Sequence, residues 1–277
     1  MHSNNLRNHL LACPNCKSLI SLDFLECIKC QRKLTAIKDA LSSFEALTSS
    51  YFDDKHEVMT ETTNDSGTFD IFYKEQIKFF EKNVPRGATV LDVGCGPAVP
   101  YKRSVDWFLI GVEPSLDSIL SNSSLDLKLH STSEAIPVSD RAVDVIVCFY
   151  SIHHMTGSKL EDNHIIVRNT FLEFQRIIRH GGQLFIFDIS PIFPFDILEK
   201  RMWSIARKML GQKLDMFFWK DAWLRNLGRE IFPDATLKVQ SYSGKLLTTF
   251  SPIFYLPKLR MPRVMYPFAI NLYHWTF

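Results

Sequence analysis

The stretch from Thr89 to Pro100, TVLDVGCGPAVP, reads as a buried strand running into a turn that is almost free of side chains. Val90, Leu91 and Val93 form a short apolar run rich in β-branched residues, the pattern of a strand covered on both faces. The run stops at Gly94, Cys95, Gly96 and Pro97. A glycine turn at the carboxyl end of such a strand lets a ligand approach the backbone closely. Glu113 stands twenty-one residues after Asp92 and closes a second apolar run that begins at Phe108. A carboxylate there can accept hydrogen bonds from both hydroxyls of a ribose. Strand, glycine turn, strand and terminal acid describe a nucleoside-cofactor site in an open α/β sheet. The third glycine of the dinucleotide fingerprint is missing, and Ala98 stands near its place.

Three further segments follow in order: Glu134 to Pro137 with Asp144, Ser151 to His154, and Arg176 to Gly182 followed by Gln183 to Asp188. With LDVGCG and GVEPS, they make residues 68 to 190 resemble the class I methyltransferases that use S-adenosylmethionine, of the type 11 kind. The resemblance implies an α/β, Rossmann-like fold with a seven-stranded, mostly parallel sheet of order 3-2-1-4-5-7-6. It implies that Asp92, Gly94, Cys95, Gly96 and Pro97 border the cofactor at the turn. Glu113 and Pro114 then serve the ribose, and Phe149 and Tyr150 close the fourth strand beside it. The family often carries an Asp two residues before Glu134, which accepts from the adenine amino group. Thr132 holds that place here, so the resemblance leaves adenine to the Thr132 hydroxyl and the backbone of Ser133 and Glu134.

The six cysteines divide four and two. Cys13, Cys16, Cys27 and Cys30 form two C-x2-C knuckles at close range, a spacing that presents four thiolates tetrahedrally to zinc. The rival reading, a redox dithiol, usually places one C-x-x-C beside a βαβ unit. Four thiolates close the coordination sphere, so the zinc is expected to be structural. So small a module cannot bury enough surface to fold unaided, and the metal supplies the missing free energy. Its strands are expected at residues 18–25 and 33–37. Cys95 and Cys148 read as small buried residues, and the thiol content places the protein in a reducing cytoplasm.

Formal charge is +2 overall but uneven: residues 1–40 carry +3, 41–190 carry −8 and 191–277 carry +7. The basic end points to something anionic. The opening residues are polar and show no signal peptide, and no apolar run is long enough to span a bilayer. The expected organisation is a zinc-ribbon module over 1–40, a linker over 41–67 and a methyltransferase domain over 68–277.

Phe69, Phe72, Tyr73, Ile77 and Phe80 share one face of a helix, and Tyr73 is expected to pack in the core, with contact to the site as the alternative. Pro97 and Pro100 leave little room for the usual crossover helix after the first strand, which is expected to be short or distorted. Val167, Phe171, Phe174 and Ile178 describe an amphipathic helix ending at Gly181 and Gly182. A helix is expected over 221–231, and antiparallel strands over 235–242 and 268–275 should close the sheet. Residues 191–277 hold seventeen of the thirty-five aromatic residues. This excess marks 191–220 and 251–268 as lid elements over an apolar substrate pocket, and the mixture of aromatics with Lys and Arg also suits a peripheral contact with the inner membrane face.

A methyl sulfonium is an activated donor, and the enzyme's main task is to place the acceptor in line. Imidazoles of His153 or His154 can take a proton from a hydroxyl or amine acceptor, whereas a carbon nucleophile needs mainly orientation. The leading reading is methyl transfer to a small, apolar or lipid-like acceptor, by O-, C- or N-methylation, of the kind used in natural-product, lipid or sugar biosynthesis. A second reading docks the ribbon on RNA. The modest charge, the absence of an Asn-Pro-Pro-Tyr-like signature and the lack of a stacking platform beyond Phe24 argue against nucleic acid. A third keeps the fold as a non-catalytic binding module; intact Asp92, Gly94, Gly96 and Glu113 weigh against it.

Overall fold

The computed structural model describes residues 10–44, 70–211, 214, 216–242 and 268–277, with the side chains of the first helix described from Lys74. The cysteine-bearing segment forms four short strands, β1 (Ile20–Ser21), β2 (Glu26–Cys27), β3 (Thr35–Ile37) and β4 (Ala40–Ser42). Helix α1 (Asp70–Asn83) leads into β5 (Thr89–Val93) and β6 (Phe108–Glu113). A short α2 (Leu116–Ser121), β7 (Leu127–His130) and β8 (Val143–Phe149) follow. The chain ends with α3 (Leu160–Ile177), β9 (Ile178–Pro191), α4 (Phe195–Leu210), α5 (Asp221–Ile231), β10 (Thr236–Tyr242) and β11 (Phe268–Thr276).

The main sheet runs β10-β11-β9-β8-β5-β6-β7-β4-β3. Counted from β5, its seven consecutive members have the expected order 3-2-1-4-5-7-6, and β11 alone among them runs against the common direction. The sheet is thus Rossmann-like and mostly parallel, but among the described residues it has nine strands rather than seven. The two extra strands come from the cysteine-bearing segment: β4 adds parallel to β7, with Ser42 opposite His130, and β3 adds antiparallel to β4. An edge strand leaves unpaired backbone groups that invite this kind of addition. The expected module boundary at residue 40 therefore falls inside a sheet strand. Among the described strands only the β1/β2 pair stands apart; β1 lies inside the strand expected over 18–25, and β2 lies just beyond its end.

Successive side chains of β5 point to opposite faces, as strand geometry requires. Leu91 and Val93 join the layer built with α3 and α5, while Val90 packs with Phe80, Trp107, Val145 and Phe185 beside α1. The sheet is therefore covered on both sides. Two departures are local. No helix connects β5 to β6: Pro97 and Pro100 lie in irregular backbone, and Tyr101 and Trp107 are buried where a crossover helix would pack. Helix α3 ends at Ile177, and Gly181 and Gly182 lie inside β9, where pairing with β8 shifts between Val143 and Val145. There the glycines form an irregularity in the ladder rather than a helix cap. The Tyr73 side chain and, except for Phe268, the expected lid element 251–268 lie outside the described residues. No helix among the described residues is long and apolar enough to cross a membrane.

Candidate functional site

The carboxyl ends of β5, β6 and β8 converge on the glycine turn. The Gly94 amide donates to Val112 O at 2.8 Å, which carries the chain from β5 over the end of β6. Gly94 has φ +74°, and a Cβ there would meet the Cβ of Ser151 at 2.4 Å. Ser151 in turn donates to Val93 O at 2.7 Å. Gly96, with φ +57°, has nothing within 4 Å of where a Cβ would stand. The first glycine thus permits close packing, and the second leaves open space above the backbone.

Glu113 is buried beside this turn. Its two oxygens accept from the Gly96 amide at 3.1 Å and the Ser115 amide at 3.0 Å. Those bonds fix the carboxylate against the glycine turn, and a carboxylate offers about four lone-pair sites. The Gly96 carbonyl is held from the other side by Asn122 Nδ2 at 3.0 Å. Pro114 O lies 3.1 Å from Nε2 of His130. Beneath the turn, Asp92 is 1% exposed. Tyr101 donates to its Oδ2 at 2.6 Å, whereas Oδ1 has no partner among the described residues. Burial pushes the Asp92 carboxyl up to about 7, the Tyr101 bond opposes the rise and the Glu113 charge adds to it. A cation brought to Oδ1 would restore its charged form.

The sequence-named residues do not all face this cleft. Cys95 and Pro97 are buried, and the Cys95 side chain packs with Ala40 and Ile119. Ser133 Oγ lies 2.7 Å from Thr170 Oγ1, and Glu134 accepts from Asn169 Nδ2 at 3.0 Å, so both side chains are tied to α3. Thr132 is half-buried in the same loop. Phe149 stacks on Phe187 at 4.3 Å between ring centres and packs against Tyr101 and Phe80, so its ring belongs to the core. Tyr150 has φ +53° and donates to Gln76 Oε1 at 2.8 Å. Gln76 is fully buried, and its Nε2 has no partner among the described residues.

His153 and His154 form a short 3-10 turn after β8, their rings 4.3 Å apart. They differ in support. His153 Nδ1 lies 2.6 Å from Asp188 Oδ1, and its amide donates to Asp188 Oδ2 at 3.2 Å. The Ile189 amide also donates to Asp188 Oδ1, at 2.8 Å. A carboxylate at Nδ1 fixes the tautomer and leaves Nε2 as the proton acceptor. The Phe218 ring lies 5.2 Å away, and the Phe217 amide donates to His153 O at 2.8 Å, so the segment after α4 forms one wall here. His154 is half-buried, and its amide donates to Ser151 O at 3.1 Å. Sequence reasoning missed Asp188, Tyr101 and Gln76 as parts of the site. Gln76 left a signal: it lies four residues from both Phe72 and Phe80, a polar side chain on an apolar helix face.

The four cysteines come together as their spacing implied. Their sulfurs all lie within 4.8 Å of one another; Cys13 and Cys30 are separated by 3.5 Å, Cys16 and Cys27 by 3.4 Å. A tetrahedron with zinc–sulfur bonds near 2.3 Å has edges of about 3.8 Å, so the donor set fits zinc. The Lys29 and Cys30 amides point at Cys27 Sγ, at 3.4 and 3.5 Å. The segment is docked at several places. Ala12 N donates to Pro137 O at 3.2 Å, Ser139 N donates to Leu10 O at 2.8 Å, and Ser43 donates to Ser131 Oγ at 2.8 Å. Lys17 meets Glu173 of α3 at 2.9 Å. Loop 131–139, which carries Thr132, is therefore held at both ends by the cysteine-bearing segment.

Residues 91–186 match the family model described as a methyltransferase domain. Solved structures share the fold at low identity. An S-adenosylmethionine-dependent methyltransferase of Thermotoga maritima is 15% identical, with a TM-score of 0.52 over 80% of this chain and 97% of that one. The cyclopropane synthase MmaA2 of Mycobacterium tuberculosis is 14% identical, with a TM-score of 0.50 over 73% and 83%. A Haemonchus contortus phosphoethanolamine N-methyltransferase, solved with phosphomonomethylethanolamine and S-adenosylhomocysteine, is 10% identical, with a TM-score of 0.50 over 82% and 60%. No curated protein matches the sequence. From the first strand of the cleft to the fifth, this chain is thus similar to methyltransferase domains, on the fold those enzymes share.

Proposed function

We propose that the cleft binds S-adenosylmethionine and that the protein transfers its methyl group to a small, apolar or lipid-like acceptor. The observation that carries this reading is the bond from the Gly96 amide to Glu113 at 3.1 Å, which brings glycine turn and acid within one nucleoside's span. Glu113 would hold the ribose hydroxyls, the Gly94–Gly96 backbone the chain beyond them, and Thr132 the adenine edge. Asp92 Oδ1 is buried without a partner among the described residues, and it would receive the cationic end of the cofactor. The bound cofactor supplies an activated methyl group. His153, held by Asp188, takes the proton of a hydroxyl or amine acceptor at Nε2. The Phe217–Trp219 segment and α4 wall this region and exclude water from it. Cys13, Cys16, Cys27 and Cys30 would hold structural zinc, and cytoplasmic residence belongs to the same proposal. Titration calorimetry with S-adenosylhomocysteine tests the reading: one micromolar site per chain is expected, weakened at least tenfold by Glu113→Ala. No binding to the zinc-loaded protein would favour a non-catalytic module instead.

A further inference from the structure

Helix α4 has two unlike faces. Its inner face is anchored: Trp203 is buried and donates from Nε1 to Met216 O at 3.1 Å, Asp196 binds Lys220 at 2.6 Å, and Glu199 accepts from the Phe218 amide at 2.8 Å. Its outer face carries Phe195, Leu198, Met202, Ile205 and Met209, between 42% and 81% exposed. Their spacing of three, four, three and four residues makes a continuous stripe along the helix. Ile192 and Phe193, the latter 75% exposed, extend the stripe beyond the helix start. Monomeric proteins seldom leave such a row of large apolar side chains in water.

The charges on α4 say what covers the stripe. Both acids, Asp196 and Glu199, turn inward and have partners there. Lys200, Arg201 and Lys208 are exposed, so every fully exposed charge on the helix is positive. At 100° per residue, Arg201 and Lys208 fall along one flank of the stripe. A second copy presenting the same face would bring cations against cations. Anionic headgroups would instead neutralise them while the stripe enters the acyl boundary, which is how interfacial amphipathic helices bind. We propose that α4 is a membrane-surface helix that docks this protein on an anionic bilayer, with Phe195, Leu198, Met202, Ile205 and Met209 inserted and Arg201 and Lys208 at the headgroups. This docking does not depend on what the cleft transfers.

Vesicle flotation with the zinc-loaded full chain tests it, using phosphatidylcholine alone and phosphatidylcholine mixed with phosphatidylglycerol. The protein should float with the mixed vesicles and much less with the neutral ones, and added salt should weaken the association. The double variant M202E/I205E should lose at least tenfold in partitioning while its thermal melt is unchanged, because both side chains are already exposed. Arg201→Gln and Lys208→Gln should each lose about fivefold, on anionic vesicles only. Absence of flotation, or flotation indifferent to M202E/I205E, overturns the proposal. So does a lipid-free dimer in sedimentation velocity that M202E/I205E converts to monomer, which would give the stripe to a second copy.

Discussion

Ser42 Oγ and His130 Nδ1 lie 2.9 Å apart, across 88 positions of sequence, and join the cysteine-bearing segment to the strand end beside the cleft. His130 Nε2 faces the Pro114 carbonyl at 3.1 Å, and a carbonyl can only accept, so Nε2 carries the proton and Nδ1 accepts from the serine. The ring thereby links β4, β7 and the residue that follows Glu113.

Metal removal should loosen the cleft through that linkage. Chelation, or Cys16→Ser, is expected to weaken S-adenosylhomocysteine binding by about tenfold, roughly 1.4 kcal/mol. Hydrogen exchange should show amides of loop 131–139 losing protection, because Leu10, Ala12 and Ser43 hold its two ends. Unchanged exchange in that loop after chelation would refute the linkage whether or not the ligand binds.

Gly94→Ala and Gly96→Ala should fail in different ways. Both place a side chain at positive φ, which costs on the order of 1 kcal/mol or more. At Gly94 the new methyl also collides with Ser151, so thermal stability should fall by about 2–4 kcal/mol. At Gly96 it enters open space, so stability should fall by only about 1 kcal/mol while cofactor affinity falls far more. Melting curves and calorimetry on the two variants separate these effects.

Asp92 gives the protein a pH signature. Its carboxyl sits at about 7 in the fold against roughly 4 in an unfolded chain. Between those values the folded state holds a proton that the unfolded state has lost, so this group's contribution to stability declines as pH rises across the window. Asp92→Asn should therefore gain stability relative to the parent between pH 4 and 8, measured by urea unfolding. A cationic ligand end at Oδ1 favours the ionised form, so binding of S-adenosylhomocysteine near pH 6 should release protons, read as buffer-dependent heats.

Asp188→Asn keeps a hydrogen-bonding atom near His153 Nδ1 but removes the carboxylate that fixes its tautomer. Methyl transfer to an acceptor pool from a lipid or small-molecule extract, followed with labelled cofactor, should fall by at least tenfold, with cofactor affinity within a factor of two. An equal loss of binding and transfer would mark Asp188 as structural only.

Where local chemistry decides, the sequence was readable. β5, β6 and β8 are mostly apolar because both faces of a parallel strand are covered, and their ends fall where the pattern put them. The cysteine spacing alone specified the four-sulfur cluster. Long-range pairings left no such trace. β3 falls inside the strand expected over 33–37, but β3 and β4 have three residues each, and their place in the main sheet depends on β7. Asp188 and His153 are 35 positions apart, and Tyr101 reaches Asp92 only because no helix follows β5. Gly181 and Gly182 look like a helix cap but mark a shift in strand pairing.

The cysteine-bearing segment also dictates a sequence of events during folding. Cys13 and Cys30, seventeen positions apart, can close around a metal while little of the chain exists, whereas β4 has no partner until β7 has been made. Ion capture would thus be a local, early event, and edge pairing a late one that must await a distant strand. A nascent chain starved of zinc would reach that second stage with a floppy N-terminal arm in place of a prefolded wedge.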